Sequence, residues 1–123
     1  MGSFTVARIE TFVLRAPVEA PVTASFGSMS ERASVLVRVE DAEGAHGWGE
    51  VWCNFPAYGA EHRALVLHRT LAPMALGRAV DDPAALWREL AMRSHVLALQ
   101  SGDAGAFAAA LAGLDAALWD LKA

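Results

Sequence analysis

The sequence is poor in cysteine and lysine. Cys53 is the only cysteine and Lys122 the only lysine among 123 residues. A lone cysteine cannot form an intramolecular disulfide, which fits a reducing compartment and predicts a cytoplasmic protein. The nine arginines are scattered and the net charge is −4. Because no basic cluster is present, neither nucleic acid nor a membrane surface is an expected partner.

Targeting and membrane signals are also missing. No basic segment followed by an apolar run opens the chain, so we expect no signal peptide. The longest apolar stretch, Ala104–Leu114, is too short to span a bilayer. The length of 123 residues predicts one domain, residues 1–123, and is too short for an eight-stranded α/β barrel of about 250 residues. Hydrophobic residues make up 54% of the chain, which excludes intrinsic disorder.

The first half of the chain has the pattern of an antiparallel sheet. Strands are predicted over Phe4–Leu14, Ala33–Glu40 and Ala45–Trp52, with a turn at residues 41–44. Along the third strand, Gly47 and Gly49 make one face nearly bare. Another element is therefore expected to pack closely against that backbone.

The second half has the pattern of helices, and it holds 17 of the 26 alanines. One helix is predicted over Glu61–Leu71, ended by Pro73, and two more begin after Asp82 and Asp103. The strongest periodic signal lies in the last helix, at Phe107, Leu111, Leu114, Leu118 and Leu121. Gly113 lies in the middle of this helix, and a close contact with another element would explain it. The predicted fold class is α+β, a three-stranded antiparallel β-meander followed by about three helices.

Two segments fit neither a strand nor a helix. Residues 16–32 hold two prolines and three serines, which predicts a long loop of the kind that forms a lid. Residues 53–59 form a shorter loop that offers Asn54, Phe55 and Tyr58 beside Trp52. Aromatic rings and an amide suit a recognition surface, but plain loop packing explains them equally well.

No catalytic or metal site emerges from the residues. There is no set of histidines and carboxylates at metal-ligand spacing, no Gly-x-Ser-x-Gly elbow and no phosphate-binding glycine loop. Asp115 and Asp120 could act as catalytic carboxylates, but a solvated or salt-bridged helix flank is the favoured interpretation. We therefore assign no catalytic residue and no metal ligand.

Two motifs resemble a known family. The hairpin stretch Gly47–Glu50 and the final stretch Ala112–Ala123, set at this distance from each other, resemble the N-terminal capping domain of the enolase superfamily, in its mandelate racemase/muconate lactonizing enzyme branch. The resemblance implies a following α/β barrel, in cis or in trans, that holds Mg²⁺ and takes a proton α to the carboxylate of a small organic acid. Racemisation, dehydration and cycloisomerisation all fit that chemistry.

The resemblance also implies what the chain itself contributes. Its two loops would close over the barrel mouth, with Phe26 on the first and Trp52, Asn54 and Tyr58 on the second facing the substrate. Neither the catalytic bases nor the Mg²⁺ ligands of the family have a counterpart here, so the chain alone is expected to be inactive and to bind no Mg²⁺. Homo-oligomers are common in the family, so a homo-oligomer is expected.

Two alternatives compete with a capping domain that lacks its barrel. The first is a free-standing, non-catalytic binding or interaction module that reuses the capping fold. The last helix has no stop signal before Ala123, which argues against it because a self-sufficient domain usually finishes its helices. The second is an unrelated α+β enzyme that is complete in this length, and no catalytic motif in the sequence supports it.

Overall fold

The computed structural model describes residues 2–25 and 27–123 and has the predicted α+β class. Its strands are β1 (Phe4–Ala24), β2 (Gly27–Asp41), β3 (His46–Val51) and β4 (Ala79–Val80). They form one antiparallel sheet in the order β3-β2-β1-β4. The prediction of three strands is corrected to four. The extra strand has two residues, pairing Phe4 with Val80 and Thr5 with Ala79, and so short a strand leaves no periodicity in the sequence.

The predicted loop over residues 16–32 is wrong. The first two strands continue as one long hairpin, in which Val22 pairs with Met29 and Ala24 with Gly27. Proline usually argues against a strand because it lacks a backbone N–H. Here the ladder changes register between Pro17 and Val22, so Pro21 falls where pairing is already interrupted.

The helical half has the three predicted helical segments, and the first of them is divided into three parts. Its elements are α1 (Gly59–Val66), a π-helical turn (Leu67–Leu71), α2 (Ala72–Ala75), α3 (Pro83–Gln100) and α4 (Ala104–Lys122). The prediction that Pro73 ends the first helix is wrong, since the chain stays helical through Ala75. The π-helical turn, in which the Ala72 N–H bonds to the Leu67 carbonyl, widens the backbone just before the proline ring.

The predicted starts of the last two helices are correct in position. The Asp82 carboxylate accepts a 3.0 Å hydrogen bond from the Ala84 N–H and caps α3, with Pro83 next in the chain. Asp103 precedes α4, but its side chain makes no capping hydrogen bond and contacts His62 instead.

The core lies between the sheet and α4. Every periodic residue predicted for this helix is buried, and Val35, Val37 and Val39 are fully buried on β2 beneath it. The bare face of β3 meets the helix as predicted. A methyl group at Gly49 would lie 2.1 Å from the Gly113 carbonyl oxygen, and one at Gly113 would lie 2.4 Å from Val51. Glycine is therefore required for this close approach.

By length and composition alone, α4 could cross a membrane. It has 19 residues, longer than the apolar stretch considered above, and 50% of its most apolar window is buried within the domain. That burial against the sheet is typical of the central helix of a domain core.

Candidate functional site

The end of the β1–β2 hairpin and the loop after β3 form one concave region. A cavity of about 100 Å³ lies between them, and Asn54 lines it. Asn54 also lines a neighbouring cavity of about 220 Å³ together with Trp52. The two segments predicted to be loops therefore meet in space, although the first of them is a hairpin.

Arg15 on β1 holds these segments together. Its guanidinium donates 2.7 Å and 2.9 Å hydrogen bonds to the Glu31 carboxylate and the Ala57 carbonyl, and it also pairs with Glu61 on α1. The hydrogen bond from Arg15 holds the pKa of the Glu61 carboxyl below its usual range. Hairpin, loop and helix are thus joined through one side chain.

Cys53 lies at the inner wall of the first cavity. The side chain is buried, and this burial raises the pKa of its thiol. A thiol that stays protonated is a poor nucleophile, so Cys53 acts as a small packing residue.

Trp52 and Tyr58 lie on the outer side of the same loop. Trp52 is 57% exposed and Tyr58 is 70% exposed. The guanidinium carbon of Arg63, one turn into α1, lies 5.4 Å from the centroid of the Trp52 ring. Tyr58 and Arg63 together line a third cavity, of about 340 Å³, next to His62 and Asp103.

The two aspartates of α4, Asp115 and Asp120, line none of these three cavities. The Asp120 carboxylate accepts a 2.7 Å hydrogen bond from the Trp48 backbone N–H on the edge strand β3. One carboxylate oxygen of Asp115 is buried without a hydrogen-bond partner in the described part of the chain, and burial raises the pKa of this group. Because its carboxylate binds the Trp48 N–H, Asp120 caps the edge of the sheet.

The structure brings the predicted site residues only partly together. Trp52 and Asn54 line one cavity, whereas Tyr58 lines another. Arg63 lines the cavity of Tyr58 and also lies against the Trp52 ring. Phe26 lies outside the described residues. Sequence reasoning missed Arg15 and Arg63. Arg63 follows Gly59 by one helical turn, and that spacing could have shown that it points back toward the loop.

The described residues do not fit a magnesium ion. Nowhere in residues 2–25 and 27–123 do three histidine, cysteine or carboxylate side chains come together as a group that could hold a metal. A chemical step through Mg²⁺ therefore cannot be assigned to the described part of this chain.

Solved structures define the class of this fold. A mandelate racemase/muconate lactonizing enzyme from Bordetella bronchiseptica RB50 matches 99% of the chain at 50% identity, with a TM-score of 0.86. A racemase from Streptomyces coelicolor A3(2) with bound magnesium matches 95% at 28% identity, with a TM-score of 0.82. The chain covers 31% of each of these proteins. The fold is thus that of the N-terminal domain of enolase-superfamily enzymes.

Sequence comparison gives the family. Residues 8–123 match the mandelate racemase/muconate lactonizing enzyme N-terminal domain, and the chain belongs to this family. Curated relatives include a 3,6-anhydro-alpha-L-galactonate cycloisomerase from Streptomyces coelicolor, 29% identical over 95% of this chain. An o-succinylbenzoate synthase from Geobacillus stearothermophilus is 32% identical over 89% of it. The chain spans about three-tenths of the length of these relatives, 31% and 28% respectively.

Proposed function

We propose that this chain is the capping, specificity-determining domain of a mandelate racemase/muconate lactonizing-type enzyme. The observation that carries the proposal is the 50% identity to the Bordetella bronchiseptica enzyme, which extends over 99% of this chain but only 31% of that one. The remaining length of such an enzyme is ample for an α/β barrel of about 250 residues. That barrel, in cis or in trans, is the proposed partner.

In this proposal the barrel carries out the chemistry. It supplies Mg²⁺ and the bases that remove a proton α to the carboxylate of a small organic acid. This chain contributes its hairpin end and the loop after β3, which close over the barrel mouth and exclude water. Phe26, Trp52, Asn54 and Tyr58 are the proposed substrate-facing residues. The exposure of Trp52 and Tyr58 supports this role, since each side chain is more than half exposed within the domain.

A chimaera tests the proposal. Residues 1–123 would replace the matching domain of the Bordetella bronchiseptica enzyme, and Mg²⁺-dependent exchange of α-protons would be followed by NMR in D₂O over a panel of organic acids. We expect exchange by the chimaera and none by the chain alone. Replacing Trp52, Asn54 and Tyr58 together by alanine should change which acids react, with losses in kcat/KM of about 100-fold for the best substrate.

Controls keep the outcomes separate. The variant Leu99→Ala changes an exposed residue of α3 and should leave the substrate profile unchanged. An identical profile after the triple replacement would contradict the specificity role. A chain that bound an organic acid stoichiometrically without any barrel, with a Kd of about 1 μM or below, would instead support the free-standing binding module.

The proposal extends to assembly and location. Phe12, Leu14 and Trp48 are exposed apolar side chains on two strands of the sheet, which supports association with a second surface and a homo-oligomeric enzyme. The free, buried thiol of Cys53 supports a reducing, cytoplasmic location. Light scattering of the full-length enzyme at several concentrations tests the proposed homo-oligomer.

A further inference from the structure

Arg63 is a half-buried cation with no anionic partner in the part of the chain that the structure describes. No carboxylate oxygen of the described residues lies within 4 Å of it, whereas Arg15, Arg38 and Arg78 each pair with glutamate. Its Nη1 donates to the Gly59 carbonyl at 3.2 Å, and its Nε–H is buried with no acceptor among residues 2–25 and 27–123. The guanidinium therefore has too few acceptors for its five donors.

The surroundings of Arg63 hold it in one place. The Trp52 ring lies 5.4 Å from its guanidinium carbon, and the Gly59 backbone lies against Nη1. A guanidinium fixed between a ring and a carbonyl loses little further freedom when a ligand binds, which favours bidentate recognition of planar oxyanions.

The cavity of about 340 Å³ provides the space for such a ligand. Arg63 and Tyr58 line it, and the one carboxylate in its wall, that of Asp103, is hydrogen-bonded to His62. Asp103 therefore does not compete for Arg63. The volume suits a small organic acid or a phosphate-sized anion.

We propose that this cavity is a binding site for small oxyanions, with Arg63 as its charged anchor and Tyr58 as a further hydrogen-bond donor. The shared chemistry is a carboxylate or phosphate group that accepts two N–H bonds from the Nη1 and Nη2 groups of the guanidinium, since Nε is buried. The site shares Tyr58 with the proposed substrate-facing residues. Its lining residues all belong to this chain, so binding to the chain alone can be measured without the barrel and whether or not the proposed function holds.

The test titrates the ¹⁵N-labelled chain separately with malonate and with inorganic phosphate at constant ionic strength, using chloride as the reference anion. We expect the Arg63 Nε–H and Trp52 indole N–H signals to shift together and to saturate on the order of 1 mM, the affinity of one good charge-assisted contact. Saturation by malonate only assigns a carboxylate site, and saturation by phosphate only assigns a phosphate site.

Two variants make the assignment specific to Arg63. Arg63→Gln should weaken binding at least tenfold. Arg69→Gln removes an exposed arginine of the following π-helical turn that pairs with no carboxylate among the described residues, and this variant should bind like the unaltered chain. Arg63→Lys keeps the charge without the planar fork and should bind more weakly than the unaltered chain. If Arg63→Gln does not fold, the titration of the unaltered chain still decides.

Three results would overturn the proposal. The first is a linear, unsaturated shift up to high anion concentration. The second is an equal shift with chloride, which means general screening. The third is unchanged affinity in a folded Arg63→Gln variant.

Discussion

Replacing Gly49 by alanine should sharply destabilise the domain. The new methyl group would lie 2.1 Å from the Gly113 carbonyl oxygen and 2.8 Å from the Ala117 nitrogen, both backbone atoms of α4. Neither atom can rotate away, so strand and helix must separate by about 1 Å across a close-packed interface. We expect a loss of about 3 kcal/mol or more, at the upper end for overpacking, and a fall in Tm of about 10 °C.

The measurement is urea unfolding followed by tryptophan fluorescence, with a calorimetric Tm as a second readout. Gly105→Ala is the matched control, because Gly105 lies on the same helix with nothing within 4 Å of its added methyl group. Helix propensity should leave that variant as stable as the unaltered chain or stabilise it by up to about 1 kcal/mol.

Comparing Gly49→Ala with Gly113→Ala tests whether contact with backbone atoms sets the loss of stability. At Gly113 the nearest obstacle is one side-chain atom, Cγ2 of Val51 at 2.4 Å, and the Glu50 carbonyl oxygen follows at 3.1 Å. At Gly49 two backbone atoms lie within 3 Å of the new methyl group, and alanine in place of Gly113 also favours the helix. Gly113→Ala should therefore cost less than Gly49→Ala. A Gly49→Ala variant within about 0.5 kcal/mol of the unaltered chain, the usual range of surface substitutions, would show that the interface yields easily and that the argument from close approach is wrong.

Two further predictions concern the aspartates of α4. Asp120→Ala should cost about 1–2 kcal/mol, because the Trp48 N–H loses its charged acceptor, and hydrogen exchange at that amide should accelerate; unchanged exchange would contradict the capping role. Asp115→Asn should stabilise the chain at pH 7. Burial raises the pKa of Asp115 in the folded state, so its contribution to stability is full below the unfolded pKa of about 3.9 and is lost as pH rises through the folded pKa. The difference between variant and unaltered chain in unfolding experiments should vanish near pH 3, and a constant difference would contradict this origin.

The sequence predicted best where side chains alone determine local structure. The periodic leucines of α4 and the alternation of glycine on β3 each follow from one element, and the structure confirms both. The resemblance carried by residues 47–50 and 112–123 is likewise confirmed by the family match. The capping role, the substrate-facing residues and the extent of the domain stay predictions, since only an experiment on the enzyme tests them.

The failures arose where tertiary context decides the structure. Pro17 and Pro21 indicated a loop, but the hairpin accommodates them because its ladder changes register between Pro17 and Val22. Pro73 indicated a helix end, but the π-helical turn admits it. The role of Arg15 depends on partners brought together only by folding, 46 residues away in the case of Glu61. No local pattern encodes such pairs.

The contact between β3 and α4 also governs when this domain can fold during synthesis. Trp48 and Asp120 are 72 residues apart, and the strands come first in the chain. Until the ribosome has delivered the last turns of α4, the glycine face of β3 is uncovered and its edge N–H groups are open to pairing with another chain. Because the contacts of α4 with the strands join residues far apart in sequence, we expect folding to be slower than that of a helical bundle of the same size. Truncation within α4 would therefore leave the nascent sheet prone to aggregation.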